Sequence, residues 1–219
     1  MESVNHIALA FFDFVPVLAF LIGGWFLVRL ARLKCRPLCA NLMLIGVILI
    51  FIGGFTKALS KLLWAYGVTG WESLGNLQFM FHAPGFLLMF IASWMLYKNW
   101  VKTPPTAAVA AMAAWKIPLL AIMTVSSIGL HVTLGLLSFR KHAPLAGVLF
   151  LFSMLITLGM AGMSGGEQTV PREWIEETTN AIGQVSFAVA SFLIYTRARA
   201  ERCTGQDNRG ENLKLVLIE

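Results

Sequence analysis

Residues 7–28 read I-A-L-A-F-F-D-F-V-P-V-L-A-F-L-I-G-G-W-F-L-V, an apolar run interrupted by one charge, Asp13, and closed by Arg29. About 20 such residues cross the hydrocarbon core of a bilayer as a helix, so the run reads as a membrane span. Five more follow, at 38–59, 74–97, 117–139, 143–163 and 178–195. Backbone N–H and C=O groups find no water in lipid, so runs of this kind must satisfy themselves as helices. The expected fold is all-α, a polytopic integral membrane helical bundle of about six transmembrane helices.

Composition agrees. The chain is 58% hydrophobic and 13% charged, with a mean hydropathy of +0.74, far from the quarter-charged soluble average. The spans assign residues 1–197 to a transmembrane domain and 198–219 to a polar C-terminal tail, whose apolar end, L-K-L-V-L-I, suits a membrane surface. The start of the chain carries neither a basic n-region nor a small-residue cleavage site, so 7–28 is expected to stay as the first span. A net charge of +6 would also suit nucleic acid, but the basic residues sit at the ends of apolar runs, as topology signals do, and no nucleic-acid partner is expected. Trp64, Tyr66, Trp71, Trp94, Trp100, Trp115, Trp174 and Tyr195 fall near the same ends, where an aromatic belt belongs. Cys35, Cys39 and Cys203 are too few for a disulfide framework, and C-R-P-L-C has no second pair to complete a metal site, so no metal is expected.

The connection after the third span is unusual. It holds T-P-P-T and A-A-V-A-A-M-A-A, too short to cross as a helix, so 103–116 is expected to be interfacial or re-entrant, with a seventh crossing as the alternative. Six alternating spans put Arg29, Arg32, Lys34, Arg36, Lys98, Lys102, Lys116 and Arg172 on one side, which would then be cytoplasmic. The same count puts Arg140, Lys141, Arg197, Arg199 and Arg202 on the other, in conflict with the positive-inside rule. There is also an internal echo: W-E-S-L-G-N-L-Q at 71–78 and W-I-E-E-T-T-N-A-I-G-Q at 174–184 each place a Glu four residues before an Asn at a span entrance. It suggests a three-plus-three repeat of the kind found in transporter folds.

Ionisable residues within spans are costly in lipid and mark function. Asp13, Lys57, His82 and His131 are the four here. Alternating spans bring all four to similar depth near one side, where Asp13 and Lys57 would form an ion pair and the histidines a binding site or proton relay. The bland alternative has Asp13 and Lys57 snorkelling to the interface and each histidine satisfied by a neighbouring carbonyl or hydroxyl. Pro84 and Gly85 follow His82 and are expected either to kink its helix or to break it beside a transport site. Asn76, Gln78, Asn180 and Gln184 are secondary polar contacts at span entrances, while Glu173, Glu176 and Glu177 are expected to complement the dipole of the last helix.

Two histidines on adjacent spans also fit a different chemistry, axial ligation of one b-type haem, with Gly85 and Gly135 making room for the macrocycle. Gly162 to Gly165 resemble the G-x-S-G of rhomboid intramembrane proteases, yet no histidine follows Ser164 to activate it, so no catalytic residue is assigned. The expected function is movement of a small solute, ion or proton through a polar intramembrane site. One alternative is a haem-binding electron-transfer or anchor subunit, possible quinone partner included; the other is a non-catalytic sensor or assembly subunit. The expected setting is the inner (plasma) membrane, with the lipid bilayer, membrane-protein partners or a second copy as neighbours.

Overall fold

Pro16 has no N–H to offer the carbonyl of Phe12, so the hydrogen-bond ladder of the first span loses a rung there: α1 (Glu2–Phe12) ends just before Asp13 and α2 (Phe14–Lys34) begins just after it. Asp13 N–H still reaches Leu9 O at 3.0 Å, so the two pieces follow one another as a single apolar rod, His6–Lys34. The other helices are α3 (Pro37–Ala65), α4 (Ser73–Val101), α5 (Ile117–Arg140), α6 (Pro144–Met163) and α7 (Val170–Val216). This computed structural model describes residues 2–71, 73–101, 117–163 and 169–216. Among them every regular element is a helix.

Five of these rods are long and apolar enough to cross a membrane. The sixth, α6, has 20 residues and no charge, and rises about 30 Å, the thickness of the hydrocarbon core. The protein is therefore an all-α integral membrane bundle. The expected interfacial or re-entrant segment at 103–116 lies outside the described residues. So does Ser164. The polar stretch set apart at 198–219 continues α7 as helix to Val216.

Each helix packs on its chain neighbours, and α7 returns to α2, closing a ring. Small residues set the closest approach. Cys39, Gly46, Gly53 and Ser60 recur every seven residues along α3, the period of left-handed helix pairs. Cys39 Sγ donates to Ala92 O at 3.3 Å, and a Cβ on Gly46 would sit 2.8 Å from Gly85 O. Gly85 thus serves helix packing, with α4 running through Pro84 as one helix. The hydrogen-bond ladder loses a rung beside an ionisable residue at Asp13 and Pro16 instead, with Asp13 still in helical geometry.

Contacts along the rods give their directions. In α4 and α5, Phe90 faces Gly129, Tyr97 faces Arg140 and Trp100 faces Lys141, so these two helices run parallel. That corrects the alternation assumed from the sequence: Val101 and the start of α5 lie at opposite ends of the bundle. α2 and α7 are parallel too, with Phe20 on Phe187, Phe26 on Phe192 and Lys34 on Glu201. Every other neighbouring pair is antiparallel. Order and direction are therefore unchanged when α2–α3–α4 are exchanged with α5–α6–α7 by a half-turn, a parallel repeat in which the two echo segments open α4 and α7.

The correction also removes the charge conflict. Arg29, Arg32, Lys34, Arg36, Lys98, Arg140, Lys141, Arg197 and Arg199 gather at one end, hereafter the basic end. Glu201 ties it together, accepting from Lys34 Nζ at 3.1 Å and Trp100 Nε1 at 3.2 Å, while Lys141 Nζ lies 4.9 Å from the Trp100 ring centre. Arg172, assigned to this side by the sequence count, is at the opposite end.

Both well-formed turns use one C-terminal cap. Val68 N–H bonds Leu63 O and Gly67 N–H bonds Trp64 O after α3; Ala143 N–H bonds Ser138 O and His142 N–H bonds Phe139 O after α5. This is the Schellman arrangement, which needs a left-handed residue. Gly67 takes φ +76° without strain, but the second position is His142 at φ +56°. His142→Gly should stabilise the protein by about 0.5–1 kcal/mol, read as a raised midpoint in denaturant unfolding; an unchanged or lowered midpoint would show that the imidazole holds the turn in another way.

Candidate functional site

At the end opposite the basic one, three helices bring four charges together. Lys61, near the C-terminal end of α3, places Nζ 2.9 Å from Oδ2 of Asp13, at the junction of α1 and α2, and 2.7 Å from Glu177 Oε1 on α7. Lys57, one turn earlier on the same face, stands 3.6 Å from Glu177 Oε1. The carboxylates are almost wholly buried, at 3% and 4% exposure, whereas each lysine keeps about a third of its side chain exposed. Lysine stems bury easily while the ammonium reaches outward. Two acids and two bases balance, which is what makes the burial tolerable.

The balance is incomplete at Asp13. Its Oδ1 has no hydrogen-bond partner among the described residues, and its Oδ2 lies within ion-pair distance of Lys61 but outside hydrogen-bond geometry. A buried carboxylate oxygen without a donor costs about 1–3 kcal/mol or more.

Asp13, Lys57 and Glu177 line a cavity of about 110 Å³ that His82, Gln78, Asn180 and Gln184 complete. It therefore draws on α2, α3, α4 and α7. Phe20 and Phe86 are part of its wall, and Phe20 in turn stacks on Phe187 at 5.5 Å between ring centres. Towards the basic end the bundle is closed by Leu27, Leu30, Met43, Met89, Leu96, Leu134 and Leu137, all fully buried. His82 is held by α3: its Nε2–H donates to Ile50 O at 3.1 Å, and the bare Cα of Gly53 makes the space, since a Cβ there would lie 2.7 Å from the ring.

Three of the four intramembrane residues singled out by sequence meet here. His131 does not. It packs against Phe187 at 5.6 Å, on α5, with Phe20 and Phe187 between it and the cavity. Its Nδ1–H donates to Ser127 O at 2.8 Å and its Nε2 accepts from Ser153 Oγ at 3.3 Å, so the ring is satisfied by a carbonyl and a hydroxyl. The expected Asp13–Lys57 pair is corrected as well: Asp13 meets Lys61, and Lys57 meets Glu177. Of the secondary contacts, Gln78, Asn180 and Gln184 line the cavity while Asn76 is exposed and outside it.

The haem geometry does not fit these residues. An axial ligand needs a free ring nitrogen facing the iron, and both of His131 are engaged. The room expected from glycine is filled too: Gly85 is packed by Ile50 and Gly135 by Leu151.

Lys61 and Glu177 are the residues the sequence reading missed. Lys61 lies just beyond the run ending at 59, and Glu177 is one of three acids in the first turns of α7, where a dipole role accounts for it. The spacing of Lys57 and Lys61, one helical turn apart on one face, was the available signal. Compared with known proteins, the chain matches no family model, no curated protein and no solved structure.

Proposed function

We propose that the protein moves a small solute, ion or proton across the membrane through this cavity, with Asp13, Lys57, His82 and Glu177 as the binding groups and Lys61 bracing the two carboxylates from outside it. The observation that carries the reading is the buried Oδ1 of Asp13, left without a hydrogen-bond donor among the described residues, in a polar cavity. Ionisable residues facing a cavity inside a bundle mark ion and substrate pathways. At about 30 Å³ per water, the volume suits a few waters or a ligand of a few heavy atoms. His82 keeps Nδ1 as an acceptor because its Nε2–H is held by Ile50 O.

The closed apolar layer towards the basic end and the parallel three-helix halves support alternating access, in which one half rocks on the other around the site. By the positive-inside rule the basic end faces the cytoplasm, and the cavity lies towards the opposite side. A sensor or assembly role has no comparable observation behind it.

Cysteine labelling tests this directly. In a background with Cys35, Cys39 and Cys203 replaced by alanine, Asn180→Cys in proteoliposomes should react with a membrane-impermeant thiol reagent from the cavity end alone. Labelling should then block proton flux, or uptake of whichever small polar solute the wild type carries. Undiminished flux in fully labelled protein overturns the reading.

A further inference from the structure

At the basic end, α6 and α7 part to leave a groove of about 400 Å³, lined by Ala143, Leu145, Ala146, Leu193, Thr196 and Arg197. Its walls are apolar apart from the top. Leu145 is 61% exposed, and the apolar surface continues towards the membrane centre through Val148 and Phe152 on α6 and Val189 on α7, all exposed. In a bilayer this surface meets acyl chains.

Arg197 stands at the head of the groove. Its Nε–H donates to Lys141 O at 3.2 Å, which holds the guanidinium on the turn before α6 at the head of the groove. Glu201 shares its charge between the two ends of its carboxylate: Oε2 takes Lys34 and Trp100, and Oε1 lies 3.9 Å from Arg197 Nε on the exposed side of α7, a looser contact than the bond to Lys141 O. The other basic residues of that turn face elsewhere: Arg140 lies against Tyr97 and Lys141 against Trp100, both on α4. One cation thus tops an apolar groove at the interface. The leaflet at the basic end is, by the positive-inside rule, the one rich in anionic lipid.

We propose that the α6–α7 groove binds one anionic phospholipid, with an acyl chain along Leu145 and Leu193 and the phosphate on Arg197. A zwitterionic lipid fits the walls equally well but is held less firmly, since one basic residue at an anionic surface changes affinity about fivefold. The site shares no residue with the cavity and stands whatever the cavity carries.

Native mass spectrometry of the full chain, released from micelles holding equal amounts of phosphatidylglycerol and phosphatidylcholine, tests it. Wild type should retain one phosphatidylglycerol in about fivefold preference. Arg197→Gln should retain the two lipids equally, and Leu145→Trp, which fills the groove while leaving the arginine, should retain neither. Arg29→Gln removes a charge from the same end, against Trp25 and Tyr195, and should keep the preference. Equal retention by wild type, an undiminished preference in Arg197→Gln, or its loss in Arg29→Gln overturns the proposal; the last would assign the effect to the charge of the whole end.

Discussion

Lys61→Met lowers the stability of the bundle by about 3 kcal/mol, measured as the shift in unfolding midpoint in a denaturing detergent titration. Lys61 is the shared partner of two buried carboxylates, at 2.9 Å from Asp13 and 2.7 Å from Glu177. Removing one partner of a buried ion pair leaves uncompensated charge, which costs about 3–5 kcal/mol. The lower figure applies because Lys61 keeps 32% of its side chain exposed and Lys57 can swing towards Glu177. The loss should be recovered when Asp13→Asn and Glu177→Gln are added, since an ion cluster replaced as a whole is often neutral. A single Lys61→Met protein as stable as wild type would show that the carboxylates do not depend on this ammonium.

Asp13→Asn should abolish flux through the cavity in proteoliposomes while leaving the unfolding midpoint within about 1 kcal/mol of wild type. The amide keeps the shape of the side chain but removes a buried charge whose Oδ1 lacks a donor. Loss of that desolvated charge offsets the loss of the Lys61 contact, and Lys61 keeps Glu177. Function and stability separate because strained, under-satisfied groups are retained at working sites at the expense of stability. Flux at the wild-type rate would remove Asp13 from the pathway. A large stability loss with lost flux would make it a structural residue.

How much was legible depended on the range over which each feature is determined. The spans could be read because bilayer thickness and backbone satisfaction act on local length and composition. Asp13, Lys57 and His82 stood out for the same reason, as charges or imidazoles where lipid penalises them. Lys61 did not, since a lysine at a span end is what snorkelling alone would produce, and only the approach of α2 and α7 shows that two acids wait there. His131 looked equivalent to His82, yet Ser127 and Ser153 satisfy it on the far side of Phe187.

The sequence by itself determined an all-α membrane bundle, its rods and the ionisable residues inside them. Only the tertiary structure decided that α4 and α5 run parallel, which reverses every rod after α4, brings Arg140, Lys141 and Arg197 to the end that holds Lys34 and Lys98, and brings Glu177 rather than His131 to Asp13. The physical reason is that crossing a bilayer satisfies each helix alone and carries no information about its neighbours. Which faces meet follows from side-chain packing between residues far apart in the chain, as where Gly53 admits His82 and Lys61 bridges two helices.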